Sequence, residues 1–435
     1  MSTPAVASTL PLEQPLTAAF RGAMTGADAY RAVRAALRLE RGTIRLGNRF
    51  VGIDQYREIA FVALGNASSS LALAAWESLG ERLTQGIVAG PSPLPSSVPF
   101  RAWELPLGLP GDPVGVTTAE AVAELAAGLG PKDLLLVLVS PGAIHGLSLP
   151  PAGVAPAAWN GWLSALASAG TPGADLERFV RVLGGGNCGG GLGRVASSGE
   201  VETLLLDRGD GGTLLGGGPT VPVAAEEVEL TRASLQRLGP GLAPPPLATA
   251  SLRPGASPPA PARAGVRRPV VLLGPGDALG GGSDALVDRR WVCRLAGLTN
   301  SDPPEAAAQW LVRRSEEIVG ELHGIPGAKR PAGRRGEGPA GLAVFAGLTL
   351  GLPEGVDETN ASERFLSSLR SALTRRGSVA ALFPTAGSLR AKGGDAGGAV
   401  TSDPGIAAST QHPFAMRAGL TDVGLVATLL LPAPA

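Results

Sequence analysis

The chain has 435 residues, 44% of them hydrophobic, which is enough to bury the cores of two or three domains and excludes disorder throughout. Lys and Arg total 37, as do Asp and Glu, so no net field favours nucleic acid or an anionic membrane surface, and neither partner is expected. Cys188 and Cys293 alone cannot build a disulfide framework, and 3 histidines leave little room for a Cys/His metal site; a reducing, cytoplasmic setting fits. Residues 1–14 lack the basic region and apolar run of a signal peptide, and the longest apolar runs, such as 134–139 and 424–431, are far short of a membrane span. With 63 glycines and 39 prolines in the chain, a single glycine motif carries little weight.

In chain order, 15–39 has helical apolar spacing, and 59–64 is a continuous apolar run of the doubly buried strand type. Phe61 to Gly90 then reads as strand, glycine turn, alanine-rich helix over 67–83, and second strand. Such a turn aims backbone N–H groups and the positive end of a helix dipole at an anion, and a cationic side chain is its natural companion. The residue there is the uncharged Asn66. Helices over 119–129, 157–169 and 174–183 alternate with strands over 134–139 and 201–206, which predicts parallel βαβ units.

The Pro/Ala-rich segment 240–269 has no apolar period and reads as a linker. Beyond it follow a strand over 270–273, a helix over 304–323, a strand over 342–350, a helix over 361–374, and strands over 379–383 and 424–431. The expected organisation is α/β, with two Rossmann-like lobes at 15–239 and 270–435, joined by 240–269 and flanking a cleft. Ligands are expected at strand carboxyl ends or between the lobes.

Several stretches together resemble a known family. VALGNASSSLALAAWESLGERLTQGIV is similar to the strand, Gly-Lys-Ala turn and helix that open the class II glycerate 2-kinases, whose C-terminal half is the MOFRL domain. LLLVLVSPGAIHGLSLPPAGV resembles that family's apolar strand, Ser-Gly-Gly-Gly-Ser turn and Leu-Pro segment. FVRVLGGGNCGGGLG falls where the family has Arg-Lys-His-Leu-Ser followed by Lys-Gly-Gly-Arg-Leu, and LLLDRGDGGTLLGGGP resembles its Ser-Asp-Val-x-Gly-Asp stretch. In the second lobe, AVFAGLTL, TAGSLRAKGGDAGGAV and AGLTDVGLVATLL fall at Gly-Gly-Glu-Thr, Ala-Gly-Thr-Asp-Gly and the final strand. The matches keep their order from about residue 39 to 431.

The resemblance implies phosphoryl transfer from ATP to the 2-hydroxyl of D-glycerate with Mg2+. That reaction depends on positioning and on positive charge against the phosphates. By that resemblance Asn66 stands at the catalytic lysine; read from its own chemistry, it could equally cap the following helix. Ser140, Gly142 and His145 stand in the phosphate loop, where Pro141 removes one N–H donor. Arg181 keeps the family's arginine and could grip a carboxylate, while Val182 and Cys188 replace lysines. Gly184, Gly189 and Gly190 belong to a glycine-rich loop that satisfies a loose G-x-G-x-x-G without a following Lys-Ser/Thr. Asp207, Asp210 and Asp395 align with acids near the metal or nucleotide, although aspartate also suits a glycine-rich turn. Leu348 replaces a glutamate, and Ser388 stands in the altered Thr-Asp-Gly element.

Two readings follow, with a weaker third in which the chain is a sugar-acid or nucleotide sensor. In the first, the chain is a catalytically degenerate homologue that persists as a binding or scaffold protein, pairing with a paralogue or a second copy. In the other it is a kinase for glycerate or another small hydroxy acid that uses displaced cations such as Arg181, Arg390 and Lys392. ATP and Mg2+ belong to an active member, and no cofactor to a degenerate one.

Overall fold

A computed structural model of the chain describes residues 13–47, 49–104, 113–169, 171, 173–207, 218–249, 252, 265–323, 341–350, 364–365, 367–369, 371–372, 381–382, 415–421 and 424–432. They fall into two compact units. One lies within Asp28–Gly274; the other combines the first helix, α1 (Glu13–Gly26), with the described residues from Pro275 onward.

Helical spacing over 15–39 is interrupted in the structure. Asp28 accepts a hydrogen bond from the Arg31 N–H at 3.1 Å and starts a separate helix, α2 (Ala29–Ala36). The chain then turns into an antiparallel sheet of β1 (Leu37–Glu40), β2 (Thr43–Leu46) and β3 (Arg49–Gly52), which the helical reading missed. Arg41 and Gly42 both sit at positive φ, 48° and 78°, in the two-residue turn between β1 and β2.

Six parallel strands form the centre of this unit: β4 (Ile59–Leu64), β5 (Leu83–Gly90), β6 (Arg101–Glu104), β7 (Leu134–Val139), β10 (Glu200–Leu206) and β11 (Val270–Leu273). They lie in the order β11-β10-β7-β4-β5-β6. The two central strands, β4 and β7, are buried at every residue, as continuous apolar runs require. Helix α3 (Ser68–Leu79) links β4 to β5 and stops short of the expected end, because Gly80 turns the chain at φ 54°. Helices α4 (Pro113–Gly128), α5 (Pro156–Ser168), α6 (Gly173–Leu183), α7 (Gly191–Val195) and α8 (Ala225–Arg237) complete the unit, with a short ribbon of β8 (Ser148–Leu149) and β9 (Gly185–Gly186). Trp159, Trp162 and Phe179 pack from α5 and α6 into the same apolar core as the alternate residues of β4 and β7.

Val270–Leu273 was expected to open the second lobe, yet it is an edge strand of this first sheet, paired with β10. The described part of 240–269 also belongs here rather than to a free linker. The Trp162 Nε1–H donates to the Leu242 carbonyl at 2.9 Å, Arg232 donates to that of Leu252, and Ala248 is 1% exposed. Burying Ala248 and Leu252 in the core holds a proline-rich segment that has no period of its own.

The second unit holds a mixed sheet of β12 (Trp291–Asp302), β13 (Gly341–Leu350), β14 (Ala381–Leu382), β15 (Ala415–Thr421) and β16 (Gly424–Pro432), in the order β12-β13-β16-β15-β14. Helices α9 (Pro275–Val287) and α10 (Pro304–His323) accompany it, and α10 has the expected bounds. Ala307, Ala308, Leu311 and Val312 of α10 pack with Ala296, Val344, Ala346, Phe365 and Leu369. Helix α1 joins this unit, although sequence order places it with the first lobe. The reason is backbone contact with α9: a Cβ added at Gly22 would lie 2.2 Å from the Gly281 carbonyl oxygen, and one at Gly26 would lie 2.3 Å from that of Asp277. Only glycine lets the two helices approach this closely.

At the amino ends of the central strands the surface is tied by ion pairs. The Asp133 carboxylate is fully buried and accepts from Arg57 Nε at 3.0 Å, Arg57 Nη2 at 2.6 Å and the Gly130 N–H at 2.6 Å. Burial pushes this carboxyl up, and the hydrogen bonds from Arg57 and Gly130 outweigh that, holding it below the usual aspartate range. Glu200, at the start of β10, accepts from Arg49 at 2.5 Å, Arg267 at 2.9 Å and the Tyr56 hydroxyl.

Two outcomes are expected. An exposed helical Gly→Ala change ordinarily stabilises by about 0.5–1 kcal/mol, but Gly22→Ala is expected to cost about 1–3 kcal/mol, read as a lowered melting temperature of the second unit. Gly239→Ala, where nothing lies within 4 Å of the added methyl, serves as the neutral control. The Asp133 contribution is complete above the unfolded aspartate value of about 3.9 and is lost as pH falls through the lower folded value. Asp133→Asn should therefore lower the melting temperature at pH 7 and flatten the acid limb of stability against pH; an unchanged acid limb would show that the pair contributes nothing.

Candidate functional site

The strand order runs outward from β4 to β5 and β6 on one side and from β7 to β10 and β11 on the other. The switch in direction lies between β4 and β7, so their carboxyl ends form the crevice in which such sheets bind ligands. Asn66, Ser140 and Gly142 meet there, as the sequence placed them. The positions from 65 to 68 fold tightly because Gly65 adopts φ 104°, and a Cβ on it would lie 2.4 Å from the Ser140 carbonyl oxygen.

Each backbone N–H of this turn is committed internally. Gly65 donates to the Ala89 carbonyl at 3.0 Å, Asn66 to that of Pro141 at 2.8 Å, and Ser68 to that of Gly65 at 3.1 Å. Ala67 N–H donates to Ser140 Oγ at 3.0 Å, and that hydroxyl donates to the Leu64 carbonyl at 3.0 Å. Ser140, read as a phosphate ligand, is fully buried and joins the ends of β4 and β7.

Asn66 does not cap α3: the cap position is Ala67, with no side-chain hydrogen bond. The Asn66 amide instead lies over Gly142, where an added Cβ would sit 2.8 Å from Asn66 Oδ1, and that oxygen is buried without a hydrogen-bond partner. The uncharged side chain thus closes down on the glycine of the expected phosphate loop. Gly142 keeps the left-handed conformation, φ 86°, that such a loop uses. His145 lies in the single helical turn Ala143–Gly146, and its side chain is outside the described residues.

Arg181 is not at the crevice mouth with a free guanidinium. It is 2% exposed, and its Nε and Nη2 reach Glu227 at 2.7 and 3.2 Å, while Nη2 and Nη1 reach the carbonyls of Pro222 at 2.8 Å and Gly218 at 3.3 Å. A guanidinium so engaged holds the 218–222 segment against α6 and α8 and cannot also grip a substrate carboxylate. Glu227 was missed from sequence. Its signal was a glutamate three residues into a helix, and its Oε2 also accepts the Ala224 N–H at 2.8 Å.

The glycine-rich loop serves the same structure. Gly184 N–H donates to the Val180 carbonyl at 2.9 Å, Gly190 N–H to that of Gly218 at 2.8 Å, and the Gly189 carbonyl accepts from Arg194 at 2.9 Å. The loop does open a helix, α7, but one of only 5 residues. Burial pushes the Cys188 thiol up to about 12, outweighing the nearby Arg181 charge, so it is a protonated packing group.

Asp207 follows β10, and its N–H donates to the Leu273 carbonyl at 2.7 Å. Asp210, Asp395, Ser388, Arg390 and Lys392 lie outside the described residues. Among the described residues, no group of three His, Cys, Asp or Glu side chains could hold a metal ion. Nor is any described helix long and apolar enough to cross a membrane. Beyond the crevice, a cavity of about 290 Å³ lies at the ends of β5 and β6, bordered by Val88, Pro93, Leu94, Phe100 and Trp103. Ser69 Oγ, in the first turn of α3, donates to the Ser92 carbonyl on its wall.

Comparison with known proteins adds three findings. Residues 15–250 match the model of a domain of unknown function, DUF4147. Human glycerate kinase is 29% identical over 204 residues, 43% of this chain and 38% of its own length; the zebrafish glycerate kinase is 29% identical over 224 residues, 47% and 43%. The chain therefore matches less than half the length of these curated relatives. Among solved structures, the glycerate kinase of Thermotoga maritima has a TM-score of 0.59 at 16% identity, covering 97% of this chain and 99% of that one. The PH0495 protein of Pyrococcus horikoshii OT3 has a TM-score of 0.58 at 14% identity, covering 98% and 100%. With more than half its length matched by DUF4147 and its fold shared with a glycerate kinase, this chain belongs to the class II glycerate kinase family.

Proposed function

We propose that this chain is a divergent glycerate 2-kinase homologue in which phosphoryl transfer is lost and a binding or scaffold role remains. The observation that carries this reading is the turn at the carboxyl end of β4. Its N–H groups from Gly65 to Ser68 are committed within the fold, which leaves side chains such as those of Asn66 and Ser68, all uncharged, to meet an anion there. The Asn66 side chain is an amide folded onto Gly142. Losing one preorganised donor or charge typically costs about 10²–10³ in rate.

The other side chains support the same reading. Arg181 is occupied by Glu227 inside the protein, and Cys188 is neutral where the resemblance implies a lysine. The family reaction, phosphorylation of D-glycerate at its 2-hydroxyl by ATP with Mg2+, has no described cation to steady the transferred phosphate at this crevice. A small hydroxy acid or a nucleotide remains a candidate ligand, and a paralogous or second subunit a candidate partner.

Purified protein is expected to show no ATP- and Mg2+-dependent phosphorylation of D-glycerate, and a nucleotide or small hydroxy acid that it retains as a ligand would raise the melting temperature by mass action. Asn66→Lys is expected to raise turnover above wild type. Wild-type turnover that Arg390→Ala or Lys392→Ala abolishes would instead establish an active kinase with displaced cations.

A further inference from the structure

The small antiparallel sheet of the first unit has one covered face and one open face. Ile44 and Leu46 of β2 are fully buried beneath it. On the other side, strand register sets Arg38 opposite Arg45 and Arg45 opposite Phe50, so the three side chains form one row across β1, β2 and β3. Phe50 is 69% exposed, the highest value among the described large hydrophobic residues. Arg38 is exposed and Arg45 half-buried, and Arg41, at the tip of the turn, adds a further exposed guanidinium.

This row is unfavourable for the isolated sheet. Like charges directly opposite across a strand pair destabilise it, and an aromatic ring in water forgoes the gain of burial. Glu40 reaches Arg38 at 2.6 Å, but both side chains are more than half exposed, so the pair offsets little. Arg45 Nε donates to the Gly47 carbonyl at 2.8 Å, and among the described residues no carboxylate pairs with it. An anionic partner bearing an apolar side chain would relieve both costs at once.

We propose that this face docks a short acidic segment of another protein, with an apolar side chain on Phe50 and carboxylates on Arg38 and Arg45. Size favours a segment over a folded domain. Three strands about 4.8 Å apart, each of four residues at about 3.3 Å, present about 200 Å². A standard interface takes about 800 Å² from each partner. Charge decides against two alternatives. Symmetric pairing of two copies through this face would bring guanidinium against guanidinium, and a chain with no net positive charge offers a nucleic-acid strand no long-range attraction. The inference is independent of whether the crevice at β4 and β7 has any activity.

The test is a titration of full-length protein with a dye-labelled, capped peptide of repeating Asp-Glu-Phe, followed by fluorescence anisotropy, alongside the same peptide with lysine in place of each acid. The acidic peptide is expected to bind, to weaken by at least about tenfold with Arg45→Glu or Phe50→Ser, and to weaken steeply as salt rises from about 0.05 to 0.5 M. Phe50 is exposed and Arg45 half-buried, and unchanged melting temperatures would confirm that the variants fold. Equal binding of the lysine peptide, no binding of the acidic one, or indifference to both substitutions would each overturn the proposal. So would concentration-dependent dimerisation that Phe50→Ser abolishes.

Discussion

The Ser140 hydroxyl holds together everything at the carboxyl edge of the first sheet. It donates to the Leu64 carbonyl at the end of β4 and accepts the Ala67 N–H at the mouth of α3, from a position that is fully buried. Two strands buried at every residue bring those partners into register, since Leu64 pairs with Val139. Gly65 then turns at φ 104°, and only glycine fits there, because any Cβ would strike the Ser140 carbonyl. The geometry of this turn follows from hydrophobic strand pairing, one buried hydroxyl and committed backbone N–H groups.

Those bonds separate the shape of the turn from the identity of the side chain at position 66. A cation at position 66 would point into the crevice but would support none of the four hydrogen bonds that shape it. With Asn66 at that position, Gly65, Ser140 and the Pro141 carbonyl are held by backbone and Ser140 hydroxyl bonds that do not use its side chain. Arg181 is the opposite case. Buried beside Glu227 and two backbone carbonyls, it organises the 218–222 segment, and removing one partner of such a pair strands a buried charge. Its contacts are structural, whatever reaction the crevice supports.

The central strands β4 and β7 and the parallel order of the first sheet were legible because these strands are unbroken apolar runs that alternate with helical segments, and α10 because proline marks its start and its stripe is regular; β6, β12 and β15 went unread. The carboxyl-edge turn was legible as well, down to Asn66 and Gly142. Other features were hidden. Within the small sheet, β1 was read as the end of a helix because Val33 and Leu37 keep helical spacing, and β2 and β3 were not read at all. Arg181 looked like a surface residue or a ligand, since its partner Glu227 lies 46 residues away. The placement of β11 depended on pairing with β10 across a proline-rich segment with no period to read.

Sequence by itself determined the α/β class, the family, the positions of the central strands and the missing charge at 66. All of these are local: they follow from apolar runs, turn residues and side-chain identity within a few positions. Tertiary structure decided which unit owns each terminus, where the N–H groups of the turn point, and what Arg181 touches. Helix α1 joins the second unit because Gly22 and Gly26 fit backbone to backbone against α9, a match between surfaces more than 250 residues apart in the chain. Close packing and buried hydrogen bonds pair residues by their positions in space, and spacing along the chain carries no record of such pairs.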